Sequence, residues 1–282
     1  MFQNLHTHTK FSDGSEEPAA YIQEALRQGF SALGFSDHSP LPFENSFALK
    51  ENQVDRYCST IRSLKDKTPE FTIFLGMEVD YIDGRGPSPK YFKEKLDLDY
   101  IIGSVHLVRN PEEEKLWFID GPVVETFDDG LATVFGGNGR KGVTAYYRQI
   151  QEMVAGNKPD IIGHLDKIKM HNHERFFAET DSWYQGLVDE TLELISESGC
   201  IVEVNTRGVY KLRSDTFFPG PMVLKKIKNL KIPVTISSDA HKPHEISLLF
   251  NEARDLLRGL GFNTTLVRTR TGWQEIPVQI SY

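Results

Sequence analysis

Cysteine is almost absent: Cys58 and Cys200 are the two in 282 residues. A pair so far apart makes no disulfide framework and predicts a reducing, cytoplasmic setting. Excess positive charge is missing too. Thirty-two Lys and Arg against 40 Asp and Glu leave a net charge of −8. That balance disfavours an extended nucleic-acid partner but allows a local basic pocket for one phosphate. No apolar run approaches the roughly 18 residues that a membrane span needs, so no membrane partner is expected. The opening MFQNLHTHTK lacks the charged-then-apolar pattern of a leader peptide. Internal repeats, low-complexity tracts and dividing linkers are also lacking, so residues 1–282 are expected to form one domain. The chain does have a hydrophobic fraction of 39%, enough for a full core, and nine histidines whose positions are informative.

Short runs rich in β-branched residues recur at 2–8, 31–38, 71–81, 99–106, 160–166, 200–206 and 233–241. They are apolar without strict alternation, as strands covered on both faces are. Helical patterns lie between most of them. Ser15 is placed to cap a helix that holds Pro18 in its first turn and stops at Gly29. Tyr184, Leu187, Val188, Thr191, Leu192 and Ile195 form an apolar stripe that Gly199 can end. Ile246, Leu249, Phe250, Ala253 and Leu257 form another, and Tyr147, Ile150 and Val154 a shorter one. Seven-fold strand–helix alternation predicts an α/β barrel or an open doubly wound sheet. Residues 107–142, with acidic 112–114 and glycine-rich 136–142, read as a loop insertion or lid. Residues 264–280 read as a terminal hairpin turning at Thr271-Gly272.

Every expected strand but the sixth carries or leads into residues that can bind a metal. The first leads into His6-Thr7-His8, whose i, i+2 imidazoles share a face, with Asp13 following in a loop. The others carry Asp37-His38, Glu78, His106, His164 and Asp239-Ala240-His241. A parallel barrel opens all its strand C-termini onto one face. Nine candidates then converge: His6, His8, Asp13, His38, Glu78, His106, His164, Asp239 and His241. One zinc takes three or four ligands, and a carboxylate such as Glu78 can bridge two ions, so two or three divalent ions are expected. Taken singly, each residue has a plainer role: a strand-end His as a hydrogen-bonding group, Asp13 as a turn residue. Six of nine histidines at one end of successive strands is a joint pattern. Buried together without metal they would carry a large desolvation cost. His171, His173 and His244 are expected at the surface or beside substrate.

The motifs HTHTKFSDG at 6–14, SDH at 36–38, GMEVDY at 76–81, GSVH at 103–106, IIGHLD at 161–166, VEVNT at 202–206 and SSDAH at 237–241 resemble the polymerase-and-histidinol-phosphatase (PHP) family. Length and the SDG and VEVNTRG variants look most like its stand-alone histidinol-phosphate phosphatases. The resemblance implies a distorted seven-stranded (β/α)7 TIM-like barrel and hydrolysis of L-histidinol phosphate in histidine biosynthesis. It implies a trinuclear site: His6, His8, Glu78 and Asp239 on a first ion; bridging Glu78 with His106 and His164 on a second; Asp13, His38 and His241 on a third. Asp13 stands where many members have His, and a harder oxygen ligand there leaves zinc, iron and manganese all open.

Such a site would hydrolyse the ester by in-line attack of a metal-bridging hydroxide, with Glu78 essential to it. A phosphate also needs fixed cations. Arg207, after the sixth strand, can hold two oxygens at once. Arg175 and Lys242 are further candidates, each equally readable as a solvated charge. Asp37 is expected either to protonate the leaving group or to orient His38. Phe11, Phe43, Phe47 and Trp117 could cover the substrate ring or pack locally. Competing readings are a nuclease or phosphatase for another ester, a hydrolase of C–N bonds, and a non-catalytic metal-stabilised module.

Overall fold

The computed structural model describes residues 2–278. In chain order its elements are β1 (Gln3–Asn4), α1 (Pro18–Arg27), β2 (Ala32–Phe35), α2 (Val54–Lys67), β3 (Thr72–Asp80), α3 (Pro89–Leu96) and β4 (Tyr100–Ser104). Then come β5 (Leu107–Asn110), β6 (Lys115–Phe118), α4 (Val124–Phe135), α5 (Gly139–Asn157), β7 (Ile161–Ile162), α6 (Ser182–Ser198) and β8 (Ile201–Asn205). The rest is α7 (Arg207–Tyr210), α8 (Pro221–Asn229), β9 (Val234–Ser237), α9 (Phe250–Gly259), β10 (Thr264–Thr269) and β11 (Gly272–Pro277).

Seven strands form one parallel sheet in the order β1-β2-β3-β4-β7-β8-β9. The sheet closes through one bridge, Thr7 to Ala240, where His8 N–H donates to the Ala240 carbonyl (2.8 Å) and Ala240 N–H to that of His6 (3.0 Å). This is the distorted seven-stranded barrel, closed just beyond the ends of its first and last strands. All seven expected strands are present.

Two apolar layers hold it. The larger lies between strands and helices, where α2 turns Val54, Tyr57, Cys58 and Ile61 inward at helical spacing. The smaller fills the barrel interior with Leu5, Ala32, Phe74, Tyr100, Ile102, Ile161 and Ile201. Tyr100 dominates this plug; a Cβ on Gly76 would stand 2.3 Å from its ring, so only glycine fits there. The β10–β11 hairpin packs Leu266 and Trp273 against the plug. One end of the barrel is thus sealed with apolar side chains, which leaves the strand C-termini as the open face.

Several local expectations change. Residues 107–142 are not a loop. They form the β5–β6 hairpin, α4 and the start of α5, because Trp117 makes a core there. Its ring is buried against Phe127 (4.7 Å) and Phe135 (5.9 Å), and its indole N–H donates to the Phe127 carbonyl (2.9 Å). The glycine-rich piece starts α5, whose first turn is capped by the Asn138 side chain. This helix is the 19-residue element of which Tyr147, Ile150 and Val154 are one stripe. Glu17, not Ser15, occupies the α1 cap, since Pro18 takes the first helical position. α9 begins at Phe250 because Leu249 adopts a positive φ of 62°. The terminal hairpin turns at 270–271, with Thr269 paired to Gly272; residues 279–280 of its expected span lie outside the described residues. Cys58 and Cys200 are buried and unbonded. No helix among the described residues is long and apolar enough to cross a membrane.

Candidate metal centre

Six of the seven barrel strands carry or lead into the residues of one cage, and β8 is the exception. All nine sequence candidates are there: their donor atoms fall into overlapping groups in which every atom lies within 4.8 Å of the others. The groups are His6, His8 and Glu78; His6, His164 and Asp239; His38, Glu78 and His106; and His8, Asp13, His38 and His241.

Glu78 stands at the middle with its oxygens facing different partners. Oε2 is 3.2 Å from His6 Nε2, 3.5 Å from His8 Nε2 and 3.0 Å from His38 Nδ1. Oε1 is 3.0 Å from His164 Nε2 and 3.7 Å from His106 Nε2, and accepts from Ser104 Oγ (2.6 Å). Asp239 Oδ1 is 3.3 Å from His8 Nε2 and 3.8 Å from His6 Nε2. At the rim, Asp13 Oδ2 is 3.1 Å from His241 Nε2, and Oδ1 is 3.8 Å from both His8 Nδ1 and His38 Nε2. Two ligands bound at about 2.0–2.2 Å with tetrahedral angles lie roughly 3.4 Å apart, so most of these separations match neighbours around an ion. Buried donor atoms left without a hydrogen-bond partner make the same point: His6 Nε2, both ring nitrogens of His8, His38 Nδ1 and Glu78 Oε2. The imidazole and carboxylate set fits zinc, iron or manganese.

Surrounding groups fix which ring nitrogen faces the cage. His6 Nδ1–H donates to Glu203 Oε1 (2.5 Å), leaving Nε2 directed at Glu78. Glu203 Oε2 also accepts the His164 backbone N–H (2.8 Å), so one carboxylate grips two ligands. His241 Nδ1–H donates to the Asp239 carbonyl (3.0 Å) and turns Nε2 to Asp13. His164 and Asp239 adopt positive φ of 23° and 51°, a strained backbone kept where ligands are aimed. Burial pushes the Glu78 carboxyl up, but His6, His38 and His106 outweigh it and hold it well below the usual range. Glu78 is thus a carboxylate, ready to ligate.

Asp37 is not directed at the cage. Its carboxylate accepts from Thr9 N–H (2.8 Å), Ser12 N–H (3.1 Å), Ser12 Oγ (2.6 Å) and Thr9 Oγ1. It anchors the 9–14 turn that presents Asp13. Gly14 makes this turn possible, since a Cβ there would come within 2.2 Å of the His8 carbonyl oxygen. Arg207, mostly buried, donates from Nη1 to the Asp239 carbonyl (2.7 Å), which puts it beside a ligand. Arg175 is bidentate on Asp128 (2.5 and 2.8 Å) and also donates to the His171 carbonyl, so its guanidinium is committed elsewhere. Lys242 is exposed, with its backbone N–H on Glu245 Oε2 (3.2 Å). His173 and His244 are exposed, but His171 is buried and bonds the Gly121 carbonyl (2.9 Å). Phe47 lies edge-on to His38 (5.5 Å) and stacks on Phe118 (5.7 Å), whereas Phe11 packs on Tyr57.

Sequence reasoning missed Glu203 and the Lys167–Asp120 ion pair (2.8 Å), whose carboxylate lies 3.9 Å from His106 Nε2. An acid inside the apolar run IVEVN was a usable signal for Glu203. Asp120 lay in a stretch read as loop, and Lys167 in a sequence indistinguishable from a surface helix.

A parallel α/β barrel with a His/Asp/Glu cage at its strand C-termini defines a class of protein whose active face can hold metal ions. The PHP domain model matches residues 4–207, and the chain belongs to that family. It is 29% identical over 275 residues to the probable histidinol-phosphatase of Deinococcus radiodurans, covering 94% of this chain and 96% of that one. It is 28% identical over 261 residues to the histidinol-phosphatase of Bacillus subtilis, covering 87% and 95%. The fold is shared with a putative histidinol phosphatase of Listeria monocytogenes (TM-score 0.76, 19% identity, 89% of this chain and 99% of that one). It is also shared with the Lactococcus lactis histidinol phosphate phosphatase, solved with zinc, L-histidinol and phosphate (TM-score 0.67, 20% identity, 97% and 98%).

Proposed function

We propose that this chain is a metal-dependent phosphomonoesterase that hydrolyses L-histidinol phosphate to L-histidinol and phosphate, as a step of histidine biosynthesis in the cytoplasm. The observation that carries the proposal is Glu78, whose two oxygens serve two sets of imidazoles within one buried cage. Relatives named histidinol-phosphatase, matched over nearly their whole length, support the substrate.

We assign His6, His8, Glu78 and Asp239 to a first ion, Glu78, His106 and His164 to a second, and Asp13, His38 and His241 to a third. Bound there, divalent ions supply an ionised water near neutral pH and neutralise phosphoryl charge. The protein holds the ligands in place before substrate arrives, which suits in-line displacement at phosphorus. Arg207, beside Asp239, offers its remaining N–H groups to phosphoryl oxygens. The Phe47–Phe118 stack next to His38 offers an apolar face to the substrate imidazole.

The test is phosphate release from L-histidinol phosphate against a panel of other phosphomonoesters and DNA 3′ ends, before and after chelation and metal add-back. Preference for L-histidinol phosphate, lost on chelation and restored by zinc, manganese or iron, is expected. Equal activity after complete metal removal sinks the mechanism, and preference for another ester sinks the substrate. Arg207→Ala is expected to weaken inhibition by inorganic phosphate with metal content intact; unchanged inhibition removes that assignment.

A further inference from the structure

Lysine is almost never buried without a partner. Lys167 is buried with a single one: its side chain is 4% exposed, and its ammonium donates to Asp120 Oδ2 (2.8 Å). The residue sits one turn beyond His164, and its backbone N–H closes that turn on the His164 carbonyl (2.9 Å). Asp120 follows the β5–β6 hairpin, and its Oδ2 is also 3.9 Å from His106 Nε2. The pair therefore lies at the His106–His164 edge of the cage. An ammonium has three donors, and Asp120 is the one acceptor for it among the described residues.

Holding the hairpin segment to the barrel does not require this ion pair. His171 on the Gly121 carbonyl and Arg175 on Asp128 already join the same two stretches of chain. The ion pair is also costly in place. Divalent ions at the cage outweigh the three ligand carboxylates of Asp13, Glu78 and Asp239, and a buried ammonium beside them is repelled. An anion lying against both ammonium and ions removes that conflict, and a phosphoryl group carries the charge to do so.

We infer that Lys167 is a phosphoryl-binding cation of this site, held ready by Asp120 at the metal edge. The inference rests on the phosphatase reading above. Asp120 is the resident counter-ion: it keeps the ammonium charged in the empty site and shares it with the phosphoryl oxygen in the filled one.

Lys167→Met alone leaves the half-buried Asp120 carboxylate unpaired and can fail to fold. The decisive comparison is therefore Asp120→Asn against the Lys167→Met/Asp120→Asn double variant, both loaded with zinc. Inorganic phosphate is the probe, its binding read by calorimetry beside metal content. Removing a negative charge next to the anion is expected to tighten phosphate binding several-fold in Asp120→Asn. Removing the ammonium as well is expected to weaken it by about tenfold to hundredfold relative to that variant, the worth of a charged hydrogen bond, with zinc content unchanged. Equal phosphate affinity in the two variants overturns the inference. Zinc-dependent phosphate binding without turnover of L-histidinol phosphate leaves the inference standing and sinks the substrate instead.

Discussion

His6 and His164 stand at the ends of barrel strands and are gripped together by Glu203, whereas Asp13 and His241 reach the cage from loops. The first pair is fully buried, and Glu203 fixes the ring of one and the backbone of the other. The second is looser: the Asp13 side chain is 31% exposed, and its position depends on a turn tied to Asp37. A ligand on a closed barrel inherits the rigidity of the ladder. A ligand on a loop is as rigid as the few hydrogen bonds that hold the loop. Inner positions should therefore bind metal tightly, and the rim position should exchange first.

The largest test strikes the group common to both sides. Glu78→Gln removes the shared charge from the centre of the cage. It is expected to lower metal content at more than one position and the rate by about 10²–10³-fold, the cost of breaking a buried charge network. Full metal occupancy in this variant would remove the bridging assignment. Next, Glu203→Gln loosens His6 and His164 without touching a ligand; a loss of about 10–100-fold in metal affinity or activity is expected, read by metal competition with a chelator. Asp13→Ala confines the damage to the rim. One equivalent of metal should go while the inner ions stay, and metal analysis after dialysis decides it. Loss of every ion would show that inner and rim positions are one cooperative unit, and the comparison would fail.

The smallest effect is on the chelated protein. Burial opposes protonation of His38, but Glu78 and Asp13 outweigh it and hold the ring up to about 9. A folded-state pKa above the free value of about 6.5 gives stability that is fully present below that pH and is lost as pH rises through about 9. The melting temperature of the chelated protein is expected to fall by a few degrees across that window. With metal bound, the ring cannot take the proton, and the same scan should show no such fall. Parallel curves with and without metal would contradict a ligand role for His38.

The seven strand runs were legible because parallel strands buried on both faces need unbroken apolar sequence, and each here ends in a polar residue type that chemistry rather than packing explains. His6-Thr7-His8 and Asp239-Ala240-His241 carry their geometry in their spacing, since alternate residues of an extended chain share a face. Residues 107–142 were not legible: Trp117, Phe127 and Phe135 look like scattered aromatics until folding stacks them. Asp37 was misread for a related reason. Beside a ligand in sequence, it is turned the opposite way by the strand and spends its carboxylate on Thr9 and Ser12.

The chain alone thus settled the seven-fold strand–helix alternation and the identities of the nine clustered side chains, because periodicity and spacing are local quantities; a closed barrel rather than an open sheet was decided by the Thr7–Ala240 bridge. Which carboxylate grips which imidazole, and that Lys167 meets Asp120 from a segment 47 residues away, were decided by tertiary contacts. Pairings of that kind depend on where two stretches of backbone come to rest, and no local rule encodes that.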